Sequence, residues 1–139
     1  MQFDVPPIWE FVGLEDARLV DWNDKMYLTG VRRDTTPTGE GRMELSHIVN
    51  HTEVSRERIP STNPDAYCEK NWMPILDLPF HYMKWMNPVE IVFYDGIDTR
   101  VRKISDTVIP LIKDFRGGSQ VVKIGEYYYC VAHETNLWY

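Results

Sequence analysis

Residues 15–33 read EDARLVDWNDKMYLTGVRR, and the fold class turns on this stretch. A charged turn, Glu15-Asp16-Ala17-Arg18, leads into a short apolar strand that ends at Trp22. Asn23-Asp24 then supplies a tight turn, and an aromatic-bearing strand follows. Two short strands flanking a two-residue Asn/Asp turn is hairpin grammar. Working outward, the same grammar recurs twice. Glu69-Lys70-Asn71-Trp72 is followed by MPILD and HYMKW, and Arg116-Gly117-Gly118-Ser119 by QVVKI and EYYYCVAHE.

The three starts, near 15, 69 and 116, recur about every 50 residues, a period that suits propeller blades of several strands each. A two-sheet sandwich would also give many short strands, but would not set polar clusters at matching points of each unit. Strands are expected at Ala17–Trp22, Met26–Arg32, Arg42–Ile48, Glu53–Ile59, Met73–Asp77, His81–Trp85, Glu90–Tyr94, Arg100–Ile104, Ser119–Ile124 and Tyr127–His133. Gly125-Glu126 joins the last pair. Thr107–Lys113 carries the one helical-turn pattern, and Pro110 counts against it. The expected architecture is all-β: residues 1–139 as a single incomplete five-bladed β-propeller of about two and a half blades. Such a chain would be completed by further blades or by self-association.

Composition narrows the function classes. The 139 residues carry a net charge of −6, with a pI near 5.1, which argues against a nucleic-acid surface. No run of 18 apolar residues exists and Met1–Trp9 has no leader character, so neither a membrane partner nor secretion is expected. The two cysteines, Cys68 and Cys130, lack metal or redox spacing. Cys130 is expected to be a buried free thiol, and a reducing, cytoplasmic setting follows as the simpler expectation. No His/Cys/Asp/Glu cluster has zinc or calcium spacing, so no metal is expected.

The chemistry concentrates at the three turns, which hold Glu15, Asp16, Arg18, Glu69, Lys70 and Arg116. If each turn enters an inner strand, these side chains converge on a central pocket. Mixed carboxylates and cations there suit a polyhydroxylated or phosphorylated ligand. The structural alternative makes Asp16–Arg18 and Glu69–Lys70 ion pairs between blades. Asn71 and Ser119 belong to the same turns. Trp72 reads as a stacking platform for a sugar ring or as a core tryptophan. His133, at the end of the third aromatic strand, reads as a ligand-binding or a strand-end residue.

These strings also carry a resemblance. GLEDARLVDWNDKMYLTGVRRD (13–34) resembles the blade-opening segment of five-bladed propellers in the mannoside phosphorylase and β-mannosidase clan. RMELS (42–46), EKNWMPI (69–75), WMNPVEIV (85–92) and RGGSQV (116–121) resemble propeller domains found near or fused to glycosyltransferases. The chain departs from the phosphorylase pattern at Ala17, where proline is usual. The resemblance implies a glycoside phosphorylase or hydrolase on a mannose-type glycan, with Asp16 as general acid and Glu15 orienting Arg18. It implies no cofactor, inorganic phosphate as co-substrate, and an anion clamp drawn from Arg32 or Arg33, Lys70 and Arg116. The alternatives are a sugar-binding module that assists a glycosyltransferase, and a protein-interaction platform.

Overall fold

The computed structural model describes residues 13–135. Its regular structure is antiparallel β-sheet, with one short 3-10 turn at Pro110–Ile112. The chain divides into two compact units at Lys70/Asn71.

The first unit is a four-stranded meander: β1 (Leu14–Trp22), β2 (Lys25–Arg32), β3 (Arg42–Val49) and β4 (Thr52–Arg58), in spatial order β1-β2-β3-β4. The Asn23-Asp24 and Asn50-His51 connections hold both central residues at positive φ. Such turns match the right-handed twist of the strands they join. Strand alternation then sorts the side chains by face. Val20, Trp22, Val31, Met43, Leu45 and Ile59 are buried as the apolar face. Gly30, Arg32, Arg42, Glu44, Ser46, Arg56 and Arg58 fall on the other, in matching register across β2, β3 and β4.

The second unit repeats the meander with β5 (Met73–Pro74), β6 (His81–Met86), β7 (Val89–Tyr94) and β8 (Thr99–Ile104). Two short two-stranded sheets follow. In one, β9 (Phe115–Gly117) pairs with β12 (Ala132–Glu134). In the other, β10 (Val122–Ile124) pairs with β11 (Tyr127–Tyr129). Met73, Ile75 and Val121 form the core cluster, with Leu78, Met83, Met86 and Ile91 packed on it. Gly117 sits where a Cβ would collide with the Asn71 carbonyl and the Met73 side chain, so only glycine lets this strand approach β5 closely.

Several expectations change here. Arg116-Gly117 is not a turn but lies in β9, facing β12. Tyr127–His133 is two strands, because Val131 is drawn aside: its N–H donates to Ser119 Oγ at 2.8 Å and its carbonyl accepts from Gly118 N at 2.9 Å. The 73–77 strand leaves its antiparallel ladder after Pro74 and forms a parallel bridge from Ile75 to Val121. Pro110 opens the 3-10 turn rather than breaking it, standing where no backbone donor is needed. Cys68 and Cys130 are both free, but Cys130 is exposed rather than buried.

Candidate functional site

The opening of β1 gathers the first group of candidate residues. Pairing with β2 runs Glu15↔Val31 and then Arg18↔Thr29, so Asp16 and Ala17 bulge opposite Gly30. Gly30 has no room for a side chain, since a Cβ would strike the Glu15 carbonyl and Ala17 Cα. Asp16 therefore takes φ 51°, a conformation aspartate tolerates better than most residues, and stands exposed. Arg18, two residues on, is half-buried. Burial pulls its guanidinium below the usual value, and the Asp16 charge opposes that pull.

Arg33 joins this rim. Its Nε donates to the Gly39 carbonyl at 3.1 Å and its Nη2 to the Tyr67 hydroxyl at 3.3 Å, with Cζ 5.6 Å from the centre of the Tyr67 ring. The Tyr67 bond raises the Arg33 pKa, a smaller burial effect opposes it, and the charges of Tyr67, Cys68 and Glu15 add to it. Tyr67 itself donates to the Thr38 carbonyl at 2.9 Å. Charge interactions thus link Asp16 with Arg18 and Glu15 with Arg33, and Tyr67, which the sequence did not single out, braces Arg33.

Arg32 is separated from them. It lies inside the unit, bonded to Asp34 at 2.6 and 3.2 Å, and Asp34 Oδ2 also accepts the Gly13 N–H at 3.2 Å. Adjacent strand residues point to opposite faces, so the Arg32/Arg33 pair divides into an interior arginine and a rim arginine. Glu69 is buried too. It accepts 2.6 Å from the Ser61 hydroxyl, and its N–H donates to the Gly41 carbonyl at 2.8 Å, which closes the 61–69 loop. Lys70 is exposed.

In the second unit Trp72 is a core tryptophan, 1% exposed, with Tyr82 edge-on at 5.8 Å and Lys84 Nζ 5.6 Å from its ring centre. A sugar cannot stack on a ring so enclosed. Asn71, at φ 62°, turns the chain into β5. Arg116 and His133 face each other across the β9–β12 ladder, and Arg116 Cζ lies 5.5 Å above the exposed ring of Trp85. Trp85 thus presents the exposed indole that Trp72 does not. Simple alternation in HYMKW does not signal it, because the pairing with β7 shifts between Met83 and Trp85. Ser119 lines an open pocket of about 400 Å³ with Leu76, Gln120, Val122, Tyr129, Cys130 and Val131. Although Cys130 is exposed as a residue, partial desolvation of its thiol pushes its pKa up, away from nucleophilic reactivity.

Among the described residues no group of three or more His, Cys, Asp or Glu is placed to hold a metal ion, and no helix is long and apolar enough to cross a membrane. Comparison of the chain with protein families, with characterised proteins and with solved structures gives no match.

Proposed function

We propose that this chain is a carbohydrate-binding domain of propeller type, and that its sugar site is the rim of the first unit formed by Glu15, Asp16, Arg18, Arg33 and Tyr67. The single observation that carries the reading is the Asp16 bulge. An aspartate is held exposed at positive φ, two residues before a half-buried arginine and next to Glu15, whose charge acts on an arginine braced on a tyrosine. Carboxylate, guanidinium and phenol side chains together offer the acceptors, donors and ring face that a polyhydroxylated ligand needs. Two successive four-stranded meanders support the propeller reading, since each has the strand order of a blade. The resemblance of residues 13–34 to mannoside-acting propellers supports a mannose-type glycan or sugar phosphate as the ligand class.

A catalytic reading rests on the same bulge. Bulges re-aim side chains beside reacting groups, and Asp16 stands at the position where the resemblance puts the group that protonates a leaving glycosidic oxygen. Calorimetric titration with mannosides and mannose phosphates, with and without inorganic phosphate, tests both readings. Asp16→Asn keeps a residue that tolerates positive φ, so the melting temperature should change little while affinity falls by roughly 1–3 kcal/mol. Sugar affinity equal to the parent's in that variant removes Asp16 from the site. Release of free sugar or sugar phosphate by the parent, lost in the variant, establishes the enzyme over the binding module.

A further inference from the structure

We infer that the outer edge of β8 is a docking site for an acidic extended peptide that adds to the sheet as a further strand. β8 closes the sheet order β5-β6-β7-β8, and among the described residues it pairs only with β7. An edge strand presents a row of backbone donors and acceptors to any extended chain that can lie beside it. The chain does not cover this edge as it leaves. Ser105 N–H bonds the Val89 carbonyl at 2.8 Å. Asn87 then clips Ile109, its Nδ2 donating to the Ile109 carbonyl at 2.8 Å and its Oδ1 accepting from the Ile109 N–H at 2.7 Å. Residues 105–109 therefore run towards the β6–β7 turn at the end of the sheet and leave its edge open.

The side chains here are not those of an edge that only guards against aggregation. Val101 and Ile104, on β8 itself, are exposed, and apolar groups held out along an open edge are anchors awaiting a counterpart. The charge selects that counterpart. β8 carries Arg100, Arg102 and Lys103 and no carboxylate, although the chain as a whole is at −6. Arg100 is held by Asp95 at 2.8 Å, while Arg102 lies 5.1 Å above the Phe93 ring, so both cations are positioned. Two copies of β8 laid edge to edge would set cations against cations, which disfavours self-pairing. An alternating acidic and apolar strand answers both features, with carboxylates on the cations and apolar side chains on the anchors.

The probe is a fluorescent peptide of five Glu-Val repeats, titrated by anisotropy against the full chain, with a Lys-Val peptide alongside. Hydrogen exchange of residues 99–104 is followed in parallel. Glu-Val is expected to bind and to slow exchange in β8. Binding should weaken at least about tenfold for Lys-Val and for the exposed double variant Arg102→Glu/Lys103→Glu, and also for Ile104→Ser. The double variant should bind Lys-Val instead, a gain that loss of folding cannot imitate. No binding of Glu-Val, binding indifferent to charge, or protection outside β8 overturns the proposal. So does sedimentation showing self-association that the double variant leaves intact, or association of the chain with anionic vesicles that the peptide does not displace.

Discussion

Removing the Arg32 guanidinium from water is expensive, and in the interior of the first unit Asp34 meets it with two hydrogen bonds, both side chains being 1% exposed. Asp34→Ala should therefore cost about 3–5 kcal/mol, because it takes a two-bond partner from a buried cation, not because the pair adds that much to stability. Chemical denaturation of parent and variant measures it, and a loss under about 1 kcal/mol would mean the site lets in water. The same pair has a pH signature. Burial alone would raise the Asp34 carboxyl, but the Arg32 bond, the Gly13 N–H and the Arg32 charge outweigh it and hold the group below its ordinary value. A depressed carboxyl contributes stability that is present above its unfolded pKa and lost as the pH falls through the folded one. The resemblance offered Arg32 or Arg33 for an anion clamp. What separated them was strand alternation, readable in principle from Gly30, Arg32 and Arg42 sharing a face, and Asp34, two residues on from Arg32, falls on that same inward side.

At the scale of elements, turn chemistry decides how firmly each hairpin is specified. Asn23-Asp24 uses two residues that accept positive φ, whereas Asn50-His51 places a histidine at φ 64°. A non-glycine residue there carries roughly 1–2 kcal/mol of steric strain, more than Asn or Asp would. His51→Gly should thus raise the stability of the β3–β4 hairpin by about 1 kcal/mol, offset in part by the freedom glycine gains in the unfolded chain. Thermal melts would show this as a higher midpoint; a lower midpoint would mean that the exposed imidazole makes contacts worth more than the strain. Apart from the 73–77 strand, the strands up to Ile104 were legible because each is bounded by turn residues and begins with a pattern in twos, as in Arg42–Ser46. Beyond Phe115 the pattern fails for stated reasons. β9 spans three residues and ends in glycines that signal a turn, while the 127–133 run is broken by bonds from Ser119 and Gly118, distant partners that no local pattern reports. The candidate rim was half legible: the EDAR charges announced it, but the bulge that aims Asp16 follows from the crowding of Gly30 against β1, and Tyr67 enters from a loop 34 residues beyond Arg33.

For the whole molecule, an acidic chain at −6 gains solubility from its charge and loses some stability to self-repulsion. The described buried carboxylates then set how stability varies with pH, and they act in opposite senses. Glu44, in the middle of β3, is 2% exposed, and its Oε2 makes no hydrogen bond. Burial raises its carboxyl most. The charges of Arg32 on β2 and of Arg58 and Arg56 on β4 pull it back, and Asp34 pushes it up again. A raised carboxyl stabilises fully below its unfolded pKa, and that contribution is lost as the pH rises through the folded one, the reverse of Asp34. Stability should therefore climb as Asp34 ionises and decline as Glu44 is forced to. Glu44→Gln keeps the shape and removes the titration, so its melting temperature should hold level above the ordinary glutamate range, where the parent's falls. Paired melts from about pH 3 to pH 8 decide the matter. Parallel profiles would show that the arginines around Glu44 already keep it ionised, and the interior of this sheet would then be a fully charged network rather than one holding a neutral acid at its centre.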